Sequence, residues 1–275
     1  MTDSTEPTSV SFSGHFPLII GHRGASVVAP ENTLAAFARA ARDGADGIEF
    51  DVRLARDEVP VVIHDATLRR TGLRAGKVGA LSAAQMGATD VGAWFNLRYP
   101  AMARAAYEQE TVPTLEQVFE LFGRRFAALY VEMKCIRRET DTLAARVAEL
   151  VRACSLTQRV VVKSFTLEAI KKIKRIAPEI RTAALFDRKL SRPIPSIHGM
   201  ISQAIAHGAD ELSLHYSLIN TRRAEAARRR GLKVVAWTVD EPLWIKRAIP
   251  LRLHAIITNQ PALARATLEE FYARA

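Results

Sequence analysis

Two histidines, an arginine and a pair of carboxylates lie close together near the start of the chain. They belong to the segments Gly21-His22-Arg23-Gly24, Glu49-Phe50-Asp51 and His64-Asp65, each at or just beyond the end of a short apolar run. Carboxylates bind hard cations, arginine binds phosphate oxygens, and imidazoles exchange protons near neutral pH. These side-chain types therefore predict a site that hydrolyses a phosphate ester.

The carboxylates have the spacing of metal ligands. Glu49 and Asp51 are two positions apart, so on a strand both point to one face, where they repel each other unless a cation or proton intervenes. Glu132 and Lys134 repeat this spacing, which makes Glu132 a candidate third ligand and Lys134 a candidate phosphate contact. An all-oxygen ligand set favours Mg²⁺ or Ca²⁺ over Zn²⁺. The alternative for these carboxylates is exposure at a strand end or an ion pair with a neighbouring arginine or lysine.

The two histidines fit an acid–base pair better than a zinc site, because His22 and His64 lack the H-x-x-x-H spacing of helical zinc ligands. The link between the runs Gly47–Leu54 and Val59–His64 is too short for a crossover helix, so these runs predict an antiparallel hairpin. We expect a two-residue turn, which would place His64 directly opposite one of the two carboxylates. A three-residue turn would place it on the other face.

Short apolar runs alternate with helical patterns along almost the whole chain, as expected for strands that are buried on both faces. The predicted strands are Leu18–Gly21, Gly47–Leu54, Val59–His64, Ala128–Lys134, Val160–Ser164, Thr182–Phe186, Glu211–Tyr216, Lys233–Val239 and Ala255–Thr258. The predicted helices are Thr33–Asp43, Thr114–Phe122, Thr140–Cys154, Thr166–Ile176, Ile197–His207, Thr221–Arg230, Leu243–Ala248 and Ala262–Ala273. The alternation favours a parallel sheet closed into a TIM (β/α)8 barrel, with the extra run paired in the hairpin.

Residues 66–112 interrupt this alternation with several glycines and aromatic residues. A connection of this length in a compact domain is typical of a functional lid or a small insertion. We therefore expect an α/β TIM barrel with a small insertion after the His64 strand, which either covers the substrate or is decorative. The polar residues 1–16 are expected to form a flexible tail, and residues 17–275 a single domain.

Length and composition limit the class of protein. A chain of 275 residues with 48% hydrophobic residues can bury one core of barrel size. The N-terminal segment lacks the apolar region of a signal peptide, and no apolar run is long enough to span a bilayer. Cys135 and Cys154 show no disulfide-framework spacing. A cytoplasmic protein is therefore expected.

The formal net charge of +10 is explained most simply by an arginine-rich, solvated surface. A basic field can also attract anionic substrates or phospholipid head groups, which allows contact with a membrane surface. Nucleic acid is not an expected partner, because no compact basic stripe is interleaved with aromatic residues.

The order of His-Arg-Gly, Pro30-Glu31-Asn32-Thr33, Glu-x-Asp and His-Asp resembles that of the glycerophosphodiester phosphodiesterases. Later segments extend the resemblance to most of the chain: Val112-Pro113-Thr114-Leu115-Glu116, Val131-Glu132-Met133-Lys134, Ser164-Phe165, Val235-Ala236-Trp237-Thr238 and Ile257-Thr258-Asn259-Gln260-Pro261. The resemblance implies a TIM barrel with a small insertion. It also implies hydrolysis of small-molecule glycerophosphodiesters to sn-glycerol 3-phosphate and an alcohol, within lipid and glycerol metabolism.

The resemblance assigns roles to single residues as well. It implies that Glu49, Asp51 and Glu132 bind a divalent cation and that His22 and His64 are the catalytic acid and base. It further implies that Arg23 and Lys134 bind phosphate and that Trp237 forms a pocket wall. Two motifs depart from the family pattern: Asp57-Glu58 replaces Asp-Gly in the hairpin turn, and Thr258-Asn259 replaces Thr-Asp. The second departure leaves open any charge role at that strand end.

Two other functions remain open from the sequence. One is a lysophospholipid-directed phospholipase D on the same fold, and the other is a non-catalytic barrel that binds phosphate or phospholipid. The retained histidines and acidic residues argue against the second, since a binding protein needs no proton shuttle. Of the late histidines, His254 is interpreted as structural and His215 as a candidate substrate contact.

Overall fold

The computed structural model describes residues 16–188 and 196–273. Nine strands form one sheet: β1 (Leu18–His22), β2 (Gly47–Leu54), β3 (Pro60–Val62), β4 (Ala128–Met133), β5 (Val160–Ser164), β6 (Arg181–Phe186), β7 (Glu211–His215), β8 (Lys233–Trp237) and β9 (Ala255–Thr258). Their order is β1-β9-β8-β7-β6-β5-β4-β2-β3, and β1 also pairs with β2, which closes the ring. Only β3 runs antiparallel to its neighbour among these strands. The predicted TIM barrel is thereby confirmed.

Helices cover the outside of the barrel. The α-helices of the described residues are α1 (Leu34–Arg42), α2 (Ala83–Gly87), α3 (Ala93–Arg98), α4 (Leu115–Phe122), α5 (Thr140–Ala153), α6 (Leu167–Ile176), α7 (Ile197–Ala206), α8 (Thr221–Arg229), α9 (Pro242–Arg247) and α10 (Pro261–Ala273). Polar residues begin several of them: Thr33 Oγ1 accepts from Ala36 N at 3.2 Å, and Thr114 and Gln117 form a reciprocal capping box. None of the described helices combines the length and apolarity needed to cross a bilayer.

The apolar strands build two layers of core. On the outer layer they pack against helices; the ring of Phe37 in α1 lies 5.5 Å from that of Phe50 in β2. The inner layer fills the barrel with Ile20, Ala128, Tyr130, Val161, Ala183, Val235, Ala255 and Ile257. Because both faces of each strand are covered, a charged side chain on the inner face has to find its partners on neighbouring strands.

The hairpin between β2 and β3 has a different turn from the predicted one. Val52 pairs with Val62 and Leu54 with Pro60, which leaves the three residues 56–58 in the turn. The predicted two-residue turn is therefore wrong. Glu58 has φ +61°, the left-handed conformation that commonly closes a three-residue hairpin loop. In this register position 64 would continue opposite Phe50, but β3 ends at Val62, and His64 follows in the loop beyond it.

Residues 66–112 form an ordered excursion of short helices rather than another barrel unit. Besides α2 and α3 it contains 3₁₀ helices at Val78–Ala80, Pro100–Met102 and Ala105–Gln109. Phe95 and Tyr107 are buried against the start of α1, and Tyr107 Oη donates to Val28 O at 2.9 Å. This packing places the excursion beside the loop that follows β1. Of the predicted N-terminal tail, 1–15 lie outside the described residues.

Candidate active site

Neighbouring strands bring the predicted site residues together at the carboxyl end of the barrel. His22 is the register partner of Glu49, and Asp51 is the register partner of Glu132. Lys134 directly follows β4. Parallel strands end at the same rim, where the loops of a barrel hold catalytic and binding groups. The i,i+2 spacing seen in the sequence therefore becomes one cluster.

Glu49, Asp51 and Glu132 form a buried acid triad. A carboxylate oxygen from each lies within 4.8 Å of the others. Asp51 Oδ1 accepts no well-aligned hydrogen bond among the described residues, which leaves it available to a cation. The donor set is entirely oxygen, which fits a hard divalent ion such as Mg²⁺ or Ca²⁺.

Cationic side chains border the acid triad. Arg23 Nε lies 3.2 Å from Asp51 Oδ2, and Lys134 Nζ lies 3.2 Å from Asp51 Oδ1 and also pairs with Glu132. The ion pairs considered from the sequence are thus present alongside the ligand geometry. Both cations are partly exposed, so they can also reach an anion that enters from solvent. An arginine and a lysine beside a metal-type carboxylate cluster form a phosphate-binding arrangement.

The charges of the triad respond to these neighbours. Burial opposes ionisation of Asp51, but the charges of Arg23 and Lys134 hold the pKa of its carboxyl below the usual range. Burial likewise opposes ionisation of Glu49, and a neighbouring lysine lowers its pKa. Burial and the charge of Asp51 raise the pKa of Glu132 to about 7. A cation placed among them would favour the ionised form of all three.

A chain of two hydrogen bonds at the end of β9, which we call the relay, orients His22. Its Nδ1 lies 2.7 Å from Asn259 Oδ1, and Asn259 Nδ2 donates to Asp240 Oδ2 at 2.6 Å. Because a carboxylate can only accept, the amide nitrogen must face Asp240, and the amide oxygen must accept from His22 Nδ1. Nε2 of His22 is then the nitrogen without a proton, and it lies 3.8 Å from Glu49 Oε2. Burial lowers the pKa of His22.

His64 is held in a comparable way. Its Nδ1 donates to Asp65 Oδ1 at 2.7 Å, so Nε2 is again the nitrogen left for proton exchange. Arg53 Nε donates to the carbonyl oxygen of His64 at 2.7 Å, which fixes the backbone beyond β3. Burial lowers the pKa of His64, and the charge of Asp51 opposes that effect. His64 therefore interacts with the carboxylate face despite the three-residue turn.

The excursion contributes an arginine that the sequence did not single out. Arg70 Nε donates to Asp65 Oδ2 at 2.7 Å, and its two Nη atoms donate to the two oxygens of Glu31 at 2.7 Å. Glu31 Oε1 also accepts from Arg23 Nη1 at 2.8 Å. Arg70 thus connects the partner of one histidine to the arginine of the site. No local pattern marks this residue, because its partners come from two separate loops.

Lys163 is the second missed residue and the most deeply placed. It lies on β5 as the register partner of Glu132, and its Nζ donates to Glu49 Oε1 at 2.9 Å. A lysine inside the apolar run Val160–Ser164 was the available signal. Its partner is on another strand 114 residues earlier, so no motif connects the two.

Aromatic side chains form a wall at the mouth of the barrel. Trp237 ends β8, and its ring lies 5.6 Å from Phe165 and 5.5 Å from His215, both edge to face. Lys134 Nζ lies 5.8 Å from the ring of Phe165. His215 therefore borders the mouth, whereas His254 lies 3.8 Å from Glu211 at the other end of the barrel.

Comparison with known proteins agrees with this geometry. Residues 22–263 match the Glycerophosphoryl diester phosphodiesterase family. A glycerophosphodiester phosphodiesterase of Caldanaerobacter subterraneus subsp. tengcongensis is 32% identical over 244 residues, covering 89% of this chain and 94% of that protein. A solved glycerophosphodiester phosphodiesterase of Agrobacterium tumefaciens superposes with a TM-score of 0.75 at 29% identity, covering 91% of this chain and 100% of that one. An Oleispira antarctica phosphodiesterase, solved in complex with the product sn-glycerol-3-phosphate, has a TM-score of 0.80 at 25% identity, covering 92% and 97%.

Proposed function

The chain belongs to the glycerophosphoryl diester phosphodiesterase family, and we propose that it hydrolyses glycerophosphodiesters to sn-glycerol 3-phosphate and an alcohol by metal-assisted acid–base catalysis. The observation that carries the mechanism is a buried acid triad flanked by two histidines, each with Nδ1 held by an acceptor. The product bound by the Oleispira antarctica relative supports the glycerol phosphate half of the substrate.

Glu49, Asp51 and Glu132 would hold the divalent cation, Mg²⁺ or Ca²⁺. When bound, such an ion supplies positive charge to a non-bridging phosphate oxygen. Arg23 and Lys134 bind further phosphate oxygens and stabilise the charge that develops as the phosphorus centre becomes crowded. Trp237 forms the wall against which the substrate rests.

His22 and His64 exchange the protons through their Nε2 atoms. One removes a proton from the nucleophile, and the other protonates the leaving alkoxide. The lowered pKa of each imidazole favours the neutral form, which suits the histidine that acts as general base. The histidine that acts as general acid must also carry a proton on Nε2, which it gives to the leaving alkoxide. The nucleophile is either water or the neighbouring glycerol hydroxyl, and the second would give a transient cyclic phosphate.

A lysophospholipid-directed phospholipase D is the second candidate, favoured by the exposed apolar side chains of the excursion. Leu97 is 72% exposed, and Tyr99 and Met102 are also exposed. Such side chains could contact a lipid tail or a membrane surface. Activity on lysophosphatidylcholine without activity on glycerophosphocholine would decide for this candidate.

We further propose that residues 17–275 act as one functional domain in the cytoplasm, where Cys135 and Cys154 stay reduced. Both are free thiols in the structure. Reducing compartments rarely contain structural disulfides, so two unbridged cysteines fit this location.

The direct test measures glycerol 3-phosphate released from a panel of glycerophosphodiesters, with EDTA and with added Mg²⁺ or Ca²⁺. We expect EDTA to lower the rate at least a hundredfold and one of the two ions to restore it. Full activity in EDTA would remove the metal from the mechanism. Absence of release from every diester, together with phosphate binding, would leave the non-catalytic barrel.

A further inference from the structure

Lys163 is a buried lysine beside the acid triad, and the proposed reaction gives it no role. Its side chain is 2% exposed, whereas those of Arg23 and Lys134 are 18% and 16% exposed. The latter two reach the mouth and can meet a phosphate. Lys163 lies beneath them on the inner face of β5, where its ion-pair partners among the described residues are Glu49 and Glu132.

Lys163 occupies one of the two oxygens that Glu49 could offer to a metal. Its Nζ lies 2.9 Å from Glu49 Oε1 and 3.8 Å from Glu132 Oε2. The other oxygen of Glu49, Oε2, lies 3.4 Å from the backbone N–H of Arg23. Glu49 therefore has positively polarised partners on both oxygens before any ion arrives.

The cluster already contains one basic side chain for each of its carboxyl groups. Among the described residues, three such side chains lie within 4.0 Å of triad oxygens: Arg23, Lys134 and Lys163. A divalent ion entering this cluster meets the repulsion of all three. At such distances, repulsion between like charges in a protein raises the dissociation constant of the ion several-fold to many-fold.

We propose that Lys163 is a positioning residue, a built-in counter-ion that holds Glu49 in place without metal and weakens the binding of the divalent ion. The proposal rests on the proposed metal site. A lysine that merely fills the barrel would leave the affinity for the ion unchanged. A counter-ion instead couples two properties: removing its charge tightens metal binding and makes the metal-free protein less stable.

The test is calorimetric titration of Ca²⁺ and of Mg²⁺ into the EDTA-stripped full chain. Lys163→Gln removes the charge and keeps a donor for Glu49, and Lys163→Met removes both. Lys172→Met is the matched control, because Lys172 pairs with Asp141 at 3.1 Å outside the barrel. We expect both Lys163 variants to bind the ion about tenfold to a hundredfold more tightly than the wild type, and the control to be unchanged.

Thermal unfolding supplies a second readout that does not depend on activity. In EDTA we expect the wild type to have the highest melting temperature, Lys163→Gln a lower one and Lys163→Met the lowest. In saturating Ca²⁺ instead of EDTA, we expect the melting temperature to rise more in the variants than in the wild type. If Lys163→Met does not fold, Lys163→Gln carries the test.

Equal or weaker metal binding in the Lys163 variants would overturn the proposal and leave the metal site intact. No binding in any variant or in the wild type would overturn the metal site and the proposal together.

Discussion

The two ends of the barrel each bury a carboxylate, with opposite results. At the carboxyl end, Asp51 has Arg23 and Lys134 at 3.2 Å, and these charges hold its pKa low. At the amino end, Glu211 opens β7 and accepts from Tyr130 Oη at 2.9 Å, while the guanidinium of Arg181 is 3.9 Å away. There burial dominates and raises the pKa of Glu211 to about 7.

The difference shows that burial alone does not mark a functional carboxylate. Asp51 and Glu211 are almost equally inaccessible to solvent. Close cations keep Asp51 charged, whereas the cation near Glu211 is farther away and Glu211 holds a proton. A charged cluster suits cation and phosphate binding, whereas a protonated acid that accepts from a phenol is a structural link inside the core. His22 and His64, whose Nδ1 atoms have fixed partners, both lie at the carboxyl end.

The largest expected effect comes from removing an imidazole at the carboxyl end. We expect His22→Ala and His64→Ala to lower kcat by about 10²–10⁴, because each removes one partner of the proton transfer. His254→Gln, at the amino end, is the matched control and should keep kcat within about twofold. Steady-state release of glycerol 3-phosphate measures all three. Near-wild-type kcat in either alanine variant would contradict the acid–base assignment.

The next effect concerns stability at the amino end. The folded state keeps a proton on Glu211 up to about pH 7, while the unfolded chain releases it near 4.5. Stability from this group is therefore complete below about pH 4.5, falls as the pH rises towards 7, and then stays level. The loss reaches about 3 kcal/mol, since one pKa unit is about 1.4 kcal/mol.

Glu211→Gln removes this loss while its amide oxygen can still accept from Tyr130. We expect the variant to gain free energy of unfolding relative to the wild type between pH 5 and pH 8, by up to about 3 kcal/mol. Urea unfolding at the two pH values measures the gain, with the exposed Glu225→Gln as control. A difference that does not change with pH would show that Glu211 keeps no extra proton in the folded state, which would contradict its contrast with Asp51.

The carboxylates could be predicted from sequence because their spacing is local. Glu49 and Asp51 share a face by alternation, and the strand Val160–Ser164 followed from its apolar run. Lys163 and Arg70 were missed because Glu49, the partner of Lys163, and Glu31, a partner of Arg70, lie far away in the sequence and come close only in the folded barrel. The turn was mispredicted because Glu58 adopts a left-handed conformation that a residue other than glycine rarely takes.

A smaller effect is expected at the relay that orients His22. In Asn259→Asp, two carboxylates would meet where Asn259 Nδ2 now donates to Asp240. We expect kcat at pH 7 to fall about tenfold, equivalent to about 1.4 kcal/mol, and the acidic limb of the pH profile to move to higher pH, because the new charge favours protonated His22.

Exchanging the pair supplies the control for this relay. In Asp240→Asn combined with Asn259→Asp, the amide of position 240 can donate to the new carboxylate, so stability should return while the pH profile stays shifted. If the single and double variants unfold at the same urea concentration, the contact with Asp240 is not what holds residue 259.

The smallest effect tests the turn that leads the chain to His64. Glu58 at φ +61° costs about 1 kcal/mol relative to glycine, whereas glycine loses about 0.5–1 kcal/mol of chain entropy on folding. We expect Glu58→Gly to raise the free energy of unfolding by about 0.5 kcal/mol or less, since the exposed pair of Glu58 with Arg146 contributes little. Glu120→Gly, inside α4, should instead destabilise by about 1 kcal/mol. Because glycine keeps this turn, kcat should stay unchanged in Glu58→Gly. A lower free energy of unfolding in this variant would contradict the strain assigned to Glu58.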